Sequence, residues 1–161
     1  MTKYCMLNCV SNSQYYDFEA AEWKEVDNRE AIADSEKYDL DTNEWTDIAP
    51  MNRTAYYHSA VVFDGKIYLA GGCNKDGMGT NMEAYDPQTN QWTLLANPEE
   101  GHYMGLMYCD KDTLMIAGGV DSQERYVRTA EKYDPVKDEW TVLPESLCFI
   151  MIKTWWVPVT Y

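Results

Sequence analysis

The stretch that most restricts this chain is YDPQTNQW, residues 85–92, because nearly the same wording returns three more times. Tyr-Asp, five residues, then Trp occurs at Tyr16–Trp23, Tyr38–Trp45, Tyr85–Trp92 and Tyr133–Trp140. The last three tyrosines follow one another at intervals of 47 and 48 residues, but the first interval is only 22. Self-similarity at such a period marks an array of like units. A second landmark precedes two of the phrases: IYLAGG ends at Gly72, thirteen residues before Tyr85, and LMIAGG ends at Gly119, fourteen before Tyr133.

Each landmark has a physical reading. Asp86-Pro87 starts a turn, since proline presets φ and the aspartate can bond the backbone two residues on. Asn90, and Asp138 in the last copy, tolerate the left-handed conformation that the return needs. Tyr85 with Trp92, and Tyr133 with Trp140, then flank a hairpin as large rings on a pleated surface. Upstream, Ser59–Phe63 and Lys66–Ala70 are β-rich runs joined by Asp64-Gly65, a strong two-residue turn signal. In the next copy Lys111-Asp112 takes that place, a poorer turn supported by register. Each unit is thus two hairpins, or four strands, over about 47 residues. Such a sheet is apolar on both faces and must stack on a neighbour. Short hairpins favour radial blades over a parallel solenoid. The pairs Gly71-Gly72 and Gly118-Gly119 lack Cβ atoms and allow close backbone approach.

These residues resemble the kelch repeat, in which an apolar strand and Gly-Gly are followed by a spaced tyrosine and tryptophan. KYDLDTNEWTDIAPMNRTAYYHSAVV is most similar to the kelch-like proteins that carry an N-terminal BTB domain. The resemblance implies an all-β, incomplete propeller. It divides into an N-terminal segment 1–13, two half-repeats (outer hairpins) over 14–50, full blades at 51–97 and 98–145, and a tail 146–161 that starts a further blade without reaching a Gly-Gly. No BTB or BACK segment is expected in these residues. The short first interval leaves about 25 residues missing between Trp23 and Tyr38, as in a skipped exon, an incomplete gene model or a degenerate copy.

Composition narrows the partner. The formal charge is −14, which disfavours nucleic acid, whose phosphates need clustered Lys and Arg. A basic or mixed-charge protein partner fits better, alongside the alternative that excess acid keeps a surface soluble. Five cysteines at irregular spacings, with no CxxC pair, indicate neither a zinc site nor a disulfide framework. Reduced thiols in a cytoplasmic protein are the simplest account. Cys73 is expected in an exposed loop, as the first candidate for a reactive thiol. MTKYCMLNCVSNSQ lacks the apolar core of a signal peptide, and no run is long enough to span a bilayer.

Catalysis finds no support in the residues. His58 and His102 are the two histidines, and they do not share a repeat position; Gly105 aligns with His58. Two lone histidines without a convergent carboxylate or cysteine set make no metal centre, and no cofactor is expected. Kelch blades do occur in copper-radical oxidases, which require several His and Tyr ligands around a closed ring. The repeat tyrosines and tryptophans are framework residues. Trp155 and Trp156 fall outside the pattern and receive no role.

The loops remain. On a propeller the strands give rigidity and loops at one end give recognition. The resemblance implies that partners are held by loops joining second to third strands, here 73–81 and 120–129, and by loops joining blades, here 50–58 and 97–103. These carry Arg53, Tyr56, Tyr57, Asn74, Tyr103, Arg125, Tyr126 and Arg128. Arginine and tyrosine combine apolar area with directed hydrogen bonds, and the three arginines could grip an acidic peptide. Against this, loop arginines are often simply solvated, and residues 74–77 can be a plain turn. The family resemblance implies a protein-recognition module, the substrate-binding part of a cullin-type ubiquitin ligase adaptor. An actin-associated scaffold is the alternative.

Overall fold

The architecture was obtained as a computed structural model, which describes residues 4–6, 14–17, 22–25, 33–39, 41–74, 77–78 and 81–144. All regular structure among them is β. Residues 146–161, the expected start of a further blade, lie outside the described residues, as do residues 26–32 of the stretch between Trp23 and Tyr38 where the short interval falls.

The strands are β1 (Tyr4–Met6), β2 (Gln14–Asp17), β3 (Glu22–Glu25), β4 (Ser35–Asp39), β5 (Glu44–Ile48), β6 (Tyr56–Phe63) and β7 (Lys66–Asn74). They continue with β8 (Gly77–Met78), β9 (Met82–Asp86), β10 (Gln91–Leu94), β11 (Leu106–Cys109), β12 (Leu114–Ala117), β13 (Ala130–Asp134) and β14 (Glu139–Leu143). Two antiparallel blades have the orders β6-β7-β9-β10, with β8 added beside β7, and β11-β12-β13-β14. The first two phrases form outer hairpins, β2 with β3 as a two-stranded sheet and β4 with β5 within a three-stranded one. The N-terminal segment does not stand apart, because β1 pairs with β4.

The repeated phrase folds as its residues dictate. Tyr85 lies opposite Trp92 and Tyr133 opposite Trp140 across the outer hairpins. The ring centroids are 5.1 and 5.0 Å apart. Asp86 Oδ1 accepts from the Gln88 amide at 2.8 Å, and Asp134 Oδ1 from Val136 at 2.9 Å, closing both turns. Asn90 and Asp138 hold φ values of 55° and 56°, as does Asn43 (57°) in the second phrase. Asp64 and Gly65 at 48° and 74° form the tight inner turn. Lys111 and Asp112 keep negative φ, and that turn closes instead through Asp110, whose amide donates to the Thr113 carbonyl at 3.0 Å.

The main core lies between the blades. Tyr68, Ala70, Met82 and Ala84 on one face of the first blade meet Met107, Leu114, Ile116, Tyr133 and Trp140 of the second. Leu114 and Ile116 are wholly buried. Side chains of this kind contribute about 1.5–3 kcal/mol each. The first blade's other face packs Leu69, Tyr85 and Trp92 on Met51, Ile48 and Ala49. Trp45 of the β4–β5 hairpin is 46% exposed, whereas Trp92 and Trp140, whose indoles reach a carbonyl of the preceding unit, are each 8%.

Cys73 differs from its expectation. It is not in an exposed loop but near the end of β7, buried, opposite Tyr56 on one side and Met78 on the other. The strand runs through Gly71-Gly72 to Asn74, and β8 prolongs the hairpin. Within 73–81, Cys73, Asn74, Gly77 and Met78 are therefore strand residues, and Lys75, Asp76, Gly79 and Thr80 lie outside the described residues.

Candidate functional site at the loop end of the blades

The register sends all loops of interest to one end. The start of β6 lies beside the end of β7, the end of β7 beside the start of β9, and the start of β9 beside the end of β10. The second blade repeats this order. The stretches 51–55, 97–105 and 118–129 thus share one rim and the tight turns the opposite one, while Ala49 and Ala96 lie against the outer turns of the following blade.

The glycine pairs shape this rim. Gly71, Gly72, Gly118 and Gly119 all have positive φ. A Cβ on Gly71 would overlap the His102 carbonyl oxygen of the next blade, whereas one on Gly118 would meet nothing within 4 Å. Tyr57, second residue of β6, and Met104, two residues before β11, also sit in the left-handed region, both at 57°. Their side chains are turned outward, 41% and 62% exposed. The Met104 amide donates to the Tyr57 carbonyl at 3.2 Å and ties the two blades together at this point.

Three of the residues singled out in the sequence come into contact here. Tyr57 meets Tyr56 at 5.6 Å and Tyr103 at 5.3 Å between ring centroids, both edge to face. Backbone bridges carry the row onward from Tyr103 through Val120 to Tyr126, which is 83% exposed. Asn74 closes β7 opposite Gly77.

The loop under Tyr126 is held by Asp121. Its Oδ1 accepts from the amides of Gln123 and Arg125 at 2.8 and 2.9 Å, and its Oδ2 from Arg125 Nε at 2.7 Å. Arg125 Nη2 is 2.6 Å from the same oxygen. The Arg125 guanidinium holds the Asp121 carboxyl below the usual carboxylate range. Arg125 thus organises its own loop, while Arg128 is exposed and meets no ion partner among the described residues. Arg125, Tyr126 and Arg128 line a cleft of about 390 Å³ together with Glu99, Glu100 and Asp121. Arg53 lines a separate small cavity with His58 and Glu83 in the first blade. The three arginines therefore do not converge on one point.

Two residues that the sequence reading passed over anchor these loops. Glu83 and Glu131 are 4% and 0% exposed. Glu83 Oε2 accepts from the Asn52 amide and its Nδ2 at 2.9 and 3.0 Å. Glu131 accepts from the amides of Glu99 and Glu100 at 2.8 and 2.9 Å, and its Oε1 lies 3.1 Å from His102 Nε2. His102 Nδ1 is 2.7 Å from the Gly118 carbonyl. Although burial opposes charge on Glu131, the bonds from His102 and from the two amides keep its carboxyl below the usual range. The available signal was the glutamate two residues before each tyrosine, in Glu83-Ala-Tyr-Asp and Glu131-Lys-Tyr-Asp. Its meaning was not visible, because the partners lie 31 and 32 residues earlier. His58 is half-buried: desolvation pushes its pKa below 6.5, and its Nδ1 meets no hydrogen-bond partner.

Stacked four-stranded antiparallel blades, with paired glycines at the loop end and a Tyr–Trp staple at the outer hairpin, define a β-propeller repeat protein. The chain belongs to the kelch-repeat family: residues 24–149 match the model of the KLHDC2/KLHL20/DRC7 Kelch-repeats domain. It is similar to beta-scruin of Limulus polyphemus, 32% identical over 102 residues, which is 56% of this chain and 11% of that protein. Among solved structures it is similar to that of YjhT, with a TM-score of 0.62 and 16% identity over 69% of this chain and 45% of that one. The chain thus spans a tenth and less than half of these two relatives. The second likeness shows the fold alone.

Proposed function

We propose that the chain is a non-enzymatic protein-recognition module acting in the cytoplasm, and that it serves as the substrate-holding part of a cullin-type ubiquitin ligase adaptor. The single observation that carries the recognition reading is the row Tyr56, Tyr57, Tyr103 and Tyr126 along one rim of a rigid two-blade framework. Aromatic side chains at fixed positions offer large contact area at little entropic cost, which is what the centres of protein interfaces use. The loops beneath are pinned by buried carboxylates, so little order has to be acquired on binding. Membership of the kelch-repeat family supports an interaction role, and the ligase assignment extends the resemblance to the kelch-like adaptors.

The test starts from proteins captured by the wild-type chain and purified for direct titration. Tyr57→Ala with Tyr126→Ala should weaken binding at least about tenfold, as should charge reversal at Arg125 and Arg128, with the unfolding midpoint of the Tyr57 variant retained. A bound protein whose half-life lengthens when the parent protein is depleted supports the adaptor role. Unchanged binding in both variants would show that another face is used. Co-sedimentation with filamentous actin, lost in the same variants, would favour the scaffold instead.

A further inference from the structure

Residues 53 and 100 occupy one position in successive blades, and they carry opposite charges. The geometry fixes the equivalence. The preceding residues, Asn52 and Glu99, each donate their amide to the buried glutamate of their own blade, Glu83 and Glu131. Each of the two then bonds the residue just before the third strand. Arg53 Nη1 donates to Asn81 Oδ1 at 2.6 Å, and Thr129 Oγ1 donates to the Glu100 carboxylate. The contact is the same with donor and acceptor exchanged. In both cases the bonded group is neutral, so each charge keeps its sign and faces no ion partner among the described residues. Around Glu100 the balance stays negative: Glu99, Glu100 and Asp121 stand against Arg125 and Arg128, and Asp121 already holds Arg125.

We infer that the loop rim recognises an extended polypeptide segment of mixed charge, with an acidic side chain seated at Arg53 and a basic one at Glu100. This rests on the recognition reading above and gives it a direction, since a segment laid the other way would meet like charges at both blades. Opposed charges in register select orientation and partner more than they add affinity. The formal charge of −14 points the same way, because a purely acidic ligand would approach against the field of the whole chain.

The inference is tested on the whole chain with labelled synthetic peptides. Each carries one Glu and one Arg at graded separations, in both orders, on a Gly-Ser-Tyr background, beside Glu-only and Arg-only controls. The wild type should prefer one order by about tenfold at low salt. The exchange variant Arg53→Glu with Glu100→Arg should prefer the reverse order. Arg53→Gln and Glu100→Gln, which remove each charge and leave a polar side chain, should each abolish the preference while keeping the fold. A best fit to Glu-only peptides, or an order preference untouched by these changes, overturns the inference and leaves the recognition reading standing. Binding of no peptide of any charge pattern overturns both.

Discussion

The indole nitrogen of Trp140 donates to the backbone carbonyl of Ala96 at 2.8 Å. Ala96 belongs to the exit from the preceding blade, and its amide donates in turn to Asp138 Oδ1 at 2.8 Å. Tyr133 completes the arrangement by donating its hydroxyl to the same oxygen at 2.6 Å. One blade earlier, Trp92, Asn90 and Tyr85 treat Ala49 in the same way. The repeated phrase is thus a staple: one hairpin grips both backbone groups of a residue 41 to 44 positions earlier.

Removing the parts of the staple should cost graded amounts. Trp140→Phe leaves the Ala96 carbonyl unbonded by the indole and should lower stability by about 1–2 kcal/mol. Asp138→Ala loses both bonds and tolerance of positive φ, and should cost about 2–3 kcal/mol. Asp138→Asn should stay within about 1 kcal/mol of wild type, because Asn90 performs the same task next door. Urea unfolding followed by tryptophan fluorescence measures all three.

Gly71 and Gly118 separate backbone conformation from crowding. Both have positive φ, but only a Cβ on Gly71 strikes a neighbouring blade. Gly118→Ala should cost about 1 kcal/mol. Gly71→Ala should cost at least about 3 kcal/mol, since strain and overlap with the His102 carbonyl add. Equal shifts in the two urea midpoints would contradict the close approach of the blades.

Glu131 should make the chain acid-sensitive. Its carboxyl titrates below the ordinary 4.5, so the stability it lends is complete above that value. That stability is lost as pH falls through the lower folded value. Glu131→Gln turns an acceptor partly into a donor toward the Glu99 and Glu100 amides and should cost about 2 kcal/mol near neutrality. The gap between wild type and variant should close on acidification, as read from urea midpoints across pH.

Cys73 should be a slow thiol. Burial pushes its pKa up, against a weaker opposite effect of the hydrogen bond with Tyr56. Alkylation in the folded chain should trail that in urea by at least about tenfold. A rate equal to that of the unfolded chain would restore the exposed-loop expectation.

The sequence by itself determined whatever depends on neighbours along the chain. Asp86, Asn90 and Asp138 set turns through their own φ preferences and bonds two residues on, so those hairpins and the pairing of Tyr85 with Trp92 were legible as text. Burial of Cys73, the charge inversion between Arg53 and Glu100, and the capture of Arg125 by Asp121 were not legible. The buried glutamates show why most clearly. Glu83 and Glu131 stand in plain view two residues before each tyrosine, yet their role belongs to loops about thirty residues away. Only the tertiary structure brings those loops over the carboxylates, because a buried charge is tolerated only where folding supplies its donors.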